Sequence, residues 1–102
     1  MSVSLLIISH NNIGESLINS ANLMIKENPL TTKIISAVLE STSDELYENA
    51  ASLINELDKG DGVLILTDLF GSTPSNIAHR LLEKENVSIV SGINLSMLIR
   101  VF

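Results

Sequence analysis

The sequence predicts an α/β fold, a three-layer sandwich in which a mostly parallel β-sheet carries helices on both faces. Four short aliphatic segments alternate with stretches whose apolar residues recur at helical spacing, in units of roughly 25 residues. The strand segments are uninterrupted apolar runs, which is typical of parallel strands covered on both sides. At 102 residues the chain has the length of one domain, and we interpret residues 1–102 as such.

The first unit begins with a predicted strand at residues 3–8, after which polar residues interrupt the apolar run. Asn12, with Glu15 three positions later, resembles a helix capping box. The Asn28-Pro29 pair ends the helical pattern. The apolar residues of this predicted helix are Leu17, Ile18, Ala21, Met24 and Ile25.

The second unit predicts a strand at residues 33–39, followed by a helix that Thr42 and Glu45 cap in the same way. Gly60 supplies the helix stop. Seven acidic residues and one lysine fall within residues 40–61, which we interpret as the solvated face of this helix. Its apolar side is Leu46, Ala50, Leu53, Ile54 and Leu57.

The third strand is predicted at Val63–Thr67, the most apolar of the four. Thr73 suits an N-cap, and Pro74 suits the first helical position because it has no amide hydrogen to lose there. His79 is predicted to be a solvated residue of this helix. The buried side of the helix is predicted to be Ile77, Ala78, Leu81 and Leu82.

The fourth unit has a predicted strand at residues 87–90 and a turn around Gly92 and Asn94. Asn94 and Ser96 are also weighed as side chains at the rim of a site. Residues 95–102 are too apolar to form an uncovered tail, so we expect either a partner chain or further sequence to cover them.

The composition excludes several classes of function. Twelve acidic against six basic residues leave a net charge of −6, which argues against a nucleic-acid partner. Without cysteine the chain has no disulfide, no thiolate metal site and no thiol nucleophile, and two histidines offer no metal-binding spacing. No metal or other cofactor is therefore predicted. Residues 1–4 lack a basic secretory leader and no apolar run is long enough to span a membrane, so we expect a cytoplasmic protein.

Two side chains point to a nucleophilic histidine. His10 follows the first strand and Asp68 follows the third. In the strand order 2-1-3-4, which we expect, these strands are neighbours and their carboxyl ends share one edge of the sheet. A carboxylate that accepts the imidazole Nδ1–H would leave the Nε2 lone pair available for attack, and it would stabilise the cation formed there.

The loop after the third strand predicts an anion site beside that histidine. Gly71 allows close backbone approach, while Ser72 and Thr73 offer hydroxyl and amide donors before a helix N-terminus. Gly71, Ser72 and Thr73 are thus candidates to hold a phosphoryl group on His10 without a metal, and the spacing alone leaves a purely structural role for these residues as the alternative.

Three segments, residues 8–11, 67–76 and 90–98, resemble the mannose-type IIA component of the bacterial phosphotransferase system, in the right order and across the whole chain. The resemblance implies that His10 accepts a phosphoryl group on Nε2 from the phosphocarrier protein HPr and passes it to a IIB component. Asp68 would orient His10, with Ser72 and the amides around Thr73 near the phosphoryl group.

The resemblance also implies a homodimer and a peripheral association with the membrane components IIC and IID through IIB. Two features depart from the family pattern. Gly71-Ser72 stands where the family usually has two glycines, and serine keeps the backbone amide. Family members usually continue for a few tens of residues past the position of Phe102, through a segment that joins the dimer, so the domain is expected to lack that segment.

Three alternative functions were compared with this one. A two-component receiver domain would need an acidic pair after the first strand to hold magnesium, where this chain has Ser9 and His10. The IIA-like subunit of dihydroxyacetone phosphorylation matches Ser9 and His10 but fits residues 70–74 poorly. A regulatory module whose binding depends on its phosphorylation state would use the same residues, and neighbouring genes for IIB, IIC and IID would distinguish it from a sugar-uptake component.

Overall fold

Strands and helices alternate strictly along the chain. The structure is a computed structural model, and it describes residues 3–25, 30–38, 41–58, 62–68, 73–81 and 87–101. The predicted helix stops at Asn28-Pro29 and Gly60, and the predicted apolar positions Leu39, Leu82 and Phe102, lie outside these residues. The elements are β1 (Ser4–His10), α1 (Ile13–Met24), β2 (Thr32–Ala37), α2 (Ser43–Leu57), β3 (Val63–Thr67), α3 (Thr73–Leu81), β4 (Val87–Ser91) and α4 (Leu95–Val101).

The four described strands form one sheet in the order β2-β1-β3-β4, and every neighbouring pair is parallel. This confirms the predicted strand order. Ile8 of β1 lies opposite Thr67 of β3, and His10 lies opposite Ala37 of β2. β1 ends two residues later than predicted, because backbone pairing with β2 continues through the polar Ser9 and His10.

The two faces of the sheet are covered by different helices, as the three-layer prediction requires. Along β1, side chains alternate between the faces. Leu6 and Ile8 pack in the core beneath α2 and α3, while Leu5 and Ile7 pack beneath α1 and α4. The crossover from β1 runs toward one edge of the sheet and the later crossovers run toward the other. With one handedness for all crossovers, α1 must therefore lie opposite α2 and α3.

The helix starts agree only in part with the predicted caps. The Thr42 hydroxyl accepts the Glu45 backbone amide at 3.2 Å, as predicted for α2. The Asn12 side chain makes no capping hydrogen bond, so the capping box predicted for α1 is wrong. The Gly14 amide donates instead to the buried Ser9 hydroxyl at 2.9 Å, a partner five residues earlier inside β1 that the capping-box spacing does not include.

The start of α3 and the end of β2 also differ from the predictions. α3 begins at Thr73, so Thr73 is the first helical residue and not the N-cap. Pro74 remains in the first turn, where its missing amide hydrogen removes no helical bond. β2 ends at Ala37, and the amide of the next residue, Val38, donates to the Ser41 hydroxyl at 3.2 Å instead of to a strand.

The chain itself covers the apolar residues of α4 only in part, because Leu98 is buried and the others are half-buried, so their cover by a partner chain or further sequence stays a prediction. α4 packs beside α1, and Leu98 is fully buried in the core on that face. The Asn94 carboxamide accepts the Met97 amide at 2.9 Å, which caps α4 and agrees with the turn interpretation of this residue. No described helix is long and apolar enough to cross a membrane.

Candidate active site

The candidate site lies at the carboxyl edge of the sheet, between β1 and β3. These neighbouring strands lead to helices on opposite faces, since α1 follows β1 on one face and α3 follows β3 on the other. The two connections diverge here and leave a crevice, which is the usual place for a ligand in an open parallel sheet.

The structure brings His10 and Asp68 together in this crevice. The Nδ1 atom of His10 lies 2.8 Å from the Oδ2 atom of Asp68. The backbone amide of His10 donates to the same oxygen at 2.9 Å. The carboxylate is sheltered, with 10% of the Asp68 side chain exposed, whereas 39% of the His10 side chain is exposed. Asp68 therefore holds both the ring and the backbone of a histidine that other molecules can reach.

This geometry selects one nitrogen for chemistry. An ionised carboxylate only accepts hydrogen bonds, so the Nδ1 atom that faces it carries the proton. In the neutral ring the lone pair is then on Nε2. A positive charge that develops on the ring when Nε2 reacts lies next to the Asp68 carboxylate, which stabilises it. The pair can therefore support nucleophilic catalysis by Nε2.

Asn11, directly after His10, has a left-handed backbone conformation with a φ of 45°. Its amide donates to the Ala37 carbonyl of β2 at 2.9 Å. No motif in the sequence assigns Asn11 a role of its own. A local signal was present, because asparagine is among the few non-glycine residues that adopt this conformation readily.

A cavity of about 340 Å³ opens beside His10, on the face of the sheet that carries α2 and α3. Asn11, Ser41, Leu46 and Thr73 contribute to its walls. Thr73, one of the three predicted phosphate-binding residues, thus lies around the same cavity as His10. Gly71 and Ser72, the other two, lie outside the described residues. Ser41 was missed, because only the fold brings the turn after β2 to this edge.

The surroundings of the site carry few charges that could bind a metal. Among the described residues, no group of three His, Cys, Asp or Glu side chains could hold a metal ion.

His79 lies exposed on α3, as predicted. Beside it, the Arg80 guanidinium lies 4.1 Å from the Tyr47 ring centre and 3.4 Å from an Asp44 carboxylate oxygen. Arg80 of α3 therefore packs against α2 at the surface of the protein.

Comparisons of the sequence give a consistent result. Residues 4–102 match the model of the EIIA-man family, described as the PTS system fructose IIA component. Over 100 residues the chain is 29% identical to the PTS system mannose-specific EIIAB component of Escherichia coli K12, and to that of Shigella flexneri. The matches cover 97% of this chain and 31% of those relatives, so the chain spans less than a third of their length.

Solved structures share the fold. The mannose/sorbose-specific IIA subunit from Enterococcus faecalis superposes with a TM-score of 0.86 at 27% identity, over 98% of this chain and 75% of that one. A PTS IIA protein associated with the fucose utilization operon of Streptococcus pneumoniae gives a TM-score of 0.83 at 26% identity, over 98% of this chain and 78% of that one. With a family model that covers nearly the whole length and solved IIA subunits of the same fold, the chain belongs to the EIIA-man family, the mannose-type IIA components of the phosphotransferase system.

Proposed function

We propose that the chain is a phosphohistidine carrier, which accepts a phosphoryl group from HPr on Nε2 of His10 and passes it to a IIB component. The observation that carries this proposal is the 2.8 Å contact between Nδ1 of His10 and the Asp68 carboxylate at the edge of an open cavity. Family membership supports the general role, and the contact supports the choice of atom.

In the proposed reaction, the Nε2 lone pair attacks the phosphorus of the phosphohistidine on HPr. The new N–P bond forms as the donor's N–P bond breaks, and the released electron pair returns to the donor's ring nitrogen. The His10 ring keeps its Nδ1 proton and becomes cationic, next to the Asp68 carboxylate. In the transfer to IIB, His10 is the donor. A histidine nitrogen of the IIB component attacks the phosphorus, the bond between Nε2 and phosphorus breaks, and its electron pair returns to Nε2. Because both ends of the transfer are N–P bonds, the protein contributes mostly positioning and charge stabilisation.

The phosphoryl oxygens are proposed to be held by Gly71, Ser72 and Thr73. Thr73 begins α3 and lies around the cavity with His10. The free amides and the positive dipole end of a helix N-terminus favour an anion at this position. We propose no metal or other cofactor for the transfer.

The remaining partners are proposed from the family. The E. coli relative is a mannose-specific EIIAB component, so its name joins IIA with IIB. For this chain we propose a IIB component as the acceptor, a peripheral association with IIC and IID through IIB, and a homodimer in the cytoplasm. We also propose that residues 1–102 form one IIA domain.

The direct test is phosphorylation by enzyme I, HPr and phosphoenolpyruvate, followed by intact mass measurement. We expect one phosphoryl group, labile in acid and mapped to His10. The His10→Ala variant should accept none. His79→Ala is the matched control, since it removes an exposed histidine of α3 and should be phosphorylated like the wild type. Full phosphorylation of His10→Ala would contradict the proposal, as would a phosphorylated wild type that a IIB component cannot discharge.

A second prediction concerns Asp68. In Asp68→Asn, the carboxamide oxygen can still accept both the His10 backbone amide and Nδ1–H, so the ring keeps its tautomer, but the negative charge that stabilises the cationic ring is lost. We expect the phosphorylation rate to fall by about 10²-fold or more. Rapid-quench kinetics measure this rate, and circular dichroism checks that the variant is folded. An unchanged rate in a folded Asp68→Asn protein would show that the carboxylate charge does not stabilise the reacting ring.

A further inference from the structure

The strand that carries His10 ends in an unusual backbone conformation. Asn11 is the only non-glycine residue with a positive φ in the described part of the chain, and its φ is 45°. Such conformations disfavour side chains branched at Cβ most strongly, while glycine and asparagine tolerate them. The residue lies immediately next to the proposed phosphoryl acceptor and lines the same cavity.

Two hydrogen bonds hold the backbone on either side of this point. Successive amides of a strand point to opposite neighbours, and His10 and Asn11 continue this alternation. The His10 amide points toward β3, where the Asp68 carboxylate accepts it at 2.9 Å. The Asn11 amide points toward β2, where the Ala37 carbonyl accepts it at 2.9 Å. His10 is therefore anchored to both neighbouring strands.

The left-handed residue then turns the chain out of the sheet. Two residues later α1 begins, and the Gly14 amide reaches back to the Ser9 hydroxyl at 2.9 Å. An extended residue at position 11 would carry the chain onward in the strand direction and away from this contact. The bond between Gly14 and Ser9 therefore depends on the turn at Asn11, directly beside the amides that hold His10 and Asn11 to the neighbouring strands.

We propose that Asn11 is a positioning residue for His10, and that its left-handed backbone keeps the His10 ring aligned with Asp68 for phosphoryl acceptance. The proposal rests on the proposed function of His10. It requires that the backbone conformation and not the carboxamide is important. The phosphorylation rate is then expected to be similar with glycine or asparagine at position 11, lower with alanine and lowest with valine.

The test compares Asn11→Gly, Asn11→Ala and Asn11→Val in the whole chain. Asn12→Val is the matched control, because it is the same substitution one residue later, where the backbone φ is −99°. The Asn12 side chain makes no capping bond that the substitution would remove. We expect Asn11→Gly to be phosphorylated by HPr within about twofold of the wild type and Asn11→Val about tenfold more slowly, as the conformational penalty implies. Asn12→Val should match the wild type.

A spectroscopic measurement separates positioning from general damage. Nitrogen-15 NMR of the neutral His10 ring reports which nitrogen carries the proton and whether Nδ1–H is hydrogen-bonded. The wild-type pattern should be kept in Asn11→Gly and Asn12→Val, and altered in Asn11→Val. If Asn11→Val does not fold, Asn11→Ala provides the same comparison with a smaller expected change.

Three results would overturn the proposal. The first is a folded Asn11→Val protein with the wild-type rate and ring spectrum. The second is an Asn11→Gly protein as slow as Asn11→Val, which would assign the effect to the carboxamide. The third is a slow Asn11→Val protein with an unchanged ring spectrum. If the wild type accepts no phosphoryl group, the proposed function fails, and the ring spectra still decide whether Asn11 positions His10.

Discussion

At the scale of single residues, Gly14 is the point where α1 lies closest to the sheet. A Cβ atom at this position would lie 2.7 Å from the Ser9 Oγ atom and 2.8 Å from the Ile7 Cγ2 atom. Both of those side chains are fully buried, so neither can move away easily. Glycine here has a steric role, since it lets the α1 backbone reach the Ser9 hydroxyl next to His10.

We predict that Gly14→Ala destabilises the protein. Overpacking costs about 1–3 kcal/mol and the weakened Ser9 bond adds to this loss, whereas alanine gains only about 1 kcal/mol of helix propensity. The net loss of unfolding free energy should be about 1–3 kcal/mol, measured by urea denaturation. Asn19→Ala, at an exposed position of the same helix, should be neutral or slightly stabilising. Equal stability of Gly14→Ala and the wild type would contradict the steric argument.

Gly92 provides a contrasting case. Its φ is +81°, yet a Cβ atom there would meet nothing within 4 Å. The loss in Gly92→Ala should therefore come from backbone strain alone, about 1–2 kcal/mol by the same urea measurement. Replacement by D-alanine, which favours a positive φ, should recover the stability. A D-alanine variant as unstable as the L-alanine variant would show that another factor dominates.

At the scale of elements, the hydrogen bonds at three helix starts have two kinds of acceptor: a cap residue three positions earlier, or a strand residue five positions earlier. α2 is capped locally by Thr42 and α4 by Asn94, whereas α1 receives its bond from Ser9 in the preceding strand. A pattern of nearby residues predicts the first kind of cap and misses the second. For this reason the predicted cap at Thr42 is confirmed, whereas the predicted cap at Asn12 is wrong.

The caps lead to a paired prediction. Thr42→Ala removes a made bond and should lower the unfolding free energy by about 1 kcal/mol. Asn12→Ala removes a side chain that makes no capping bond and should change it by less than about 0.5 kcal/mol. Thr42→Ser, which keeps the hydroxyl, is the control. Equal losses in the two alanine variants, measured by urea denaturation, would contradict the assignment of the caps.

At the scale of the whole molecule, the sheet separates two apolar cores that have different relations to the site. The core beneath α2 and α3 lies on the side of the cavity, and the core beneath α1 and α4 lies on the other side. Leu98 connects the end of the chain to the second core, where it is fully buried. Changes in this core should therefore affect stability more than the chemistry of His10.

Leu98→Ala tests this separation. Removal of a fully buried leucine should cost about 2–5 kcal/mol of unfolding free energy. Where the variant is still folded, its phosphorylation rate should equal that of the wild type. Leu23→Ala is the matched control, because the Leu23 side chain is 87% exposed and its loss should change stability by less than about 0.5 kcal/mol. A slow, folded Leu98→Ala protein would show that the two sides of the sheet are coupled.

The sequence by itself determined the α/β class, the four strand-helix units and the pair of His10 and Asp68. Apolar runs and helical spacing are local consequences of burial, and parallel strands place their carboxyl ends at a common edge. These features depend only on residue order and on general rules of sheet geometry, so they can be inferred before any distance is known.

Only the tertiary structure decided which side chains meet across that edge. Ser9 reaches Gly14, Asn11 reaches Ala37, and Ser41 lines the cavity of His10, although no local pattern in the sequence pairs these residues. The same holds for α4, whose apolar residues predicted a covering partner or further sequence, and of which the structure buries Leu98 in the core beneath α1. Such contacts depend on crossover direction, turn conformation and close approach, which are properties of the assembled layers and not of any one segment.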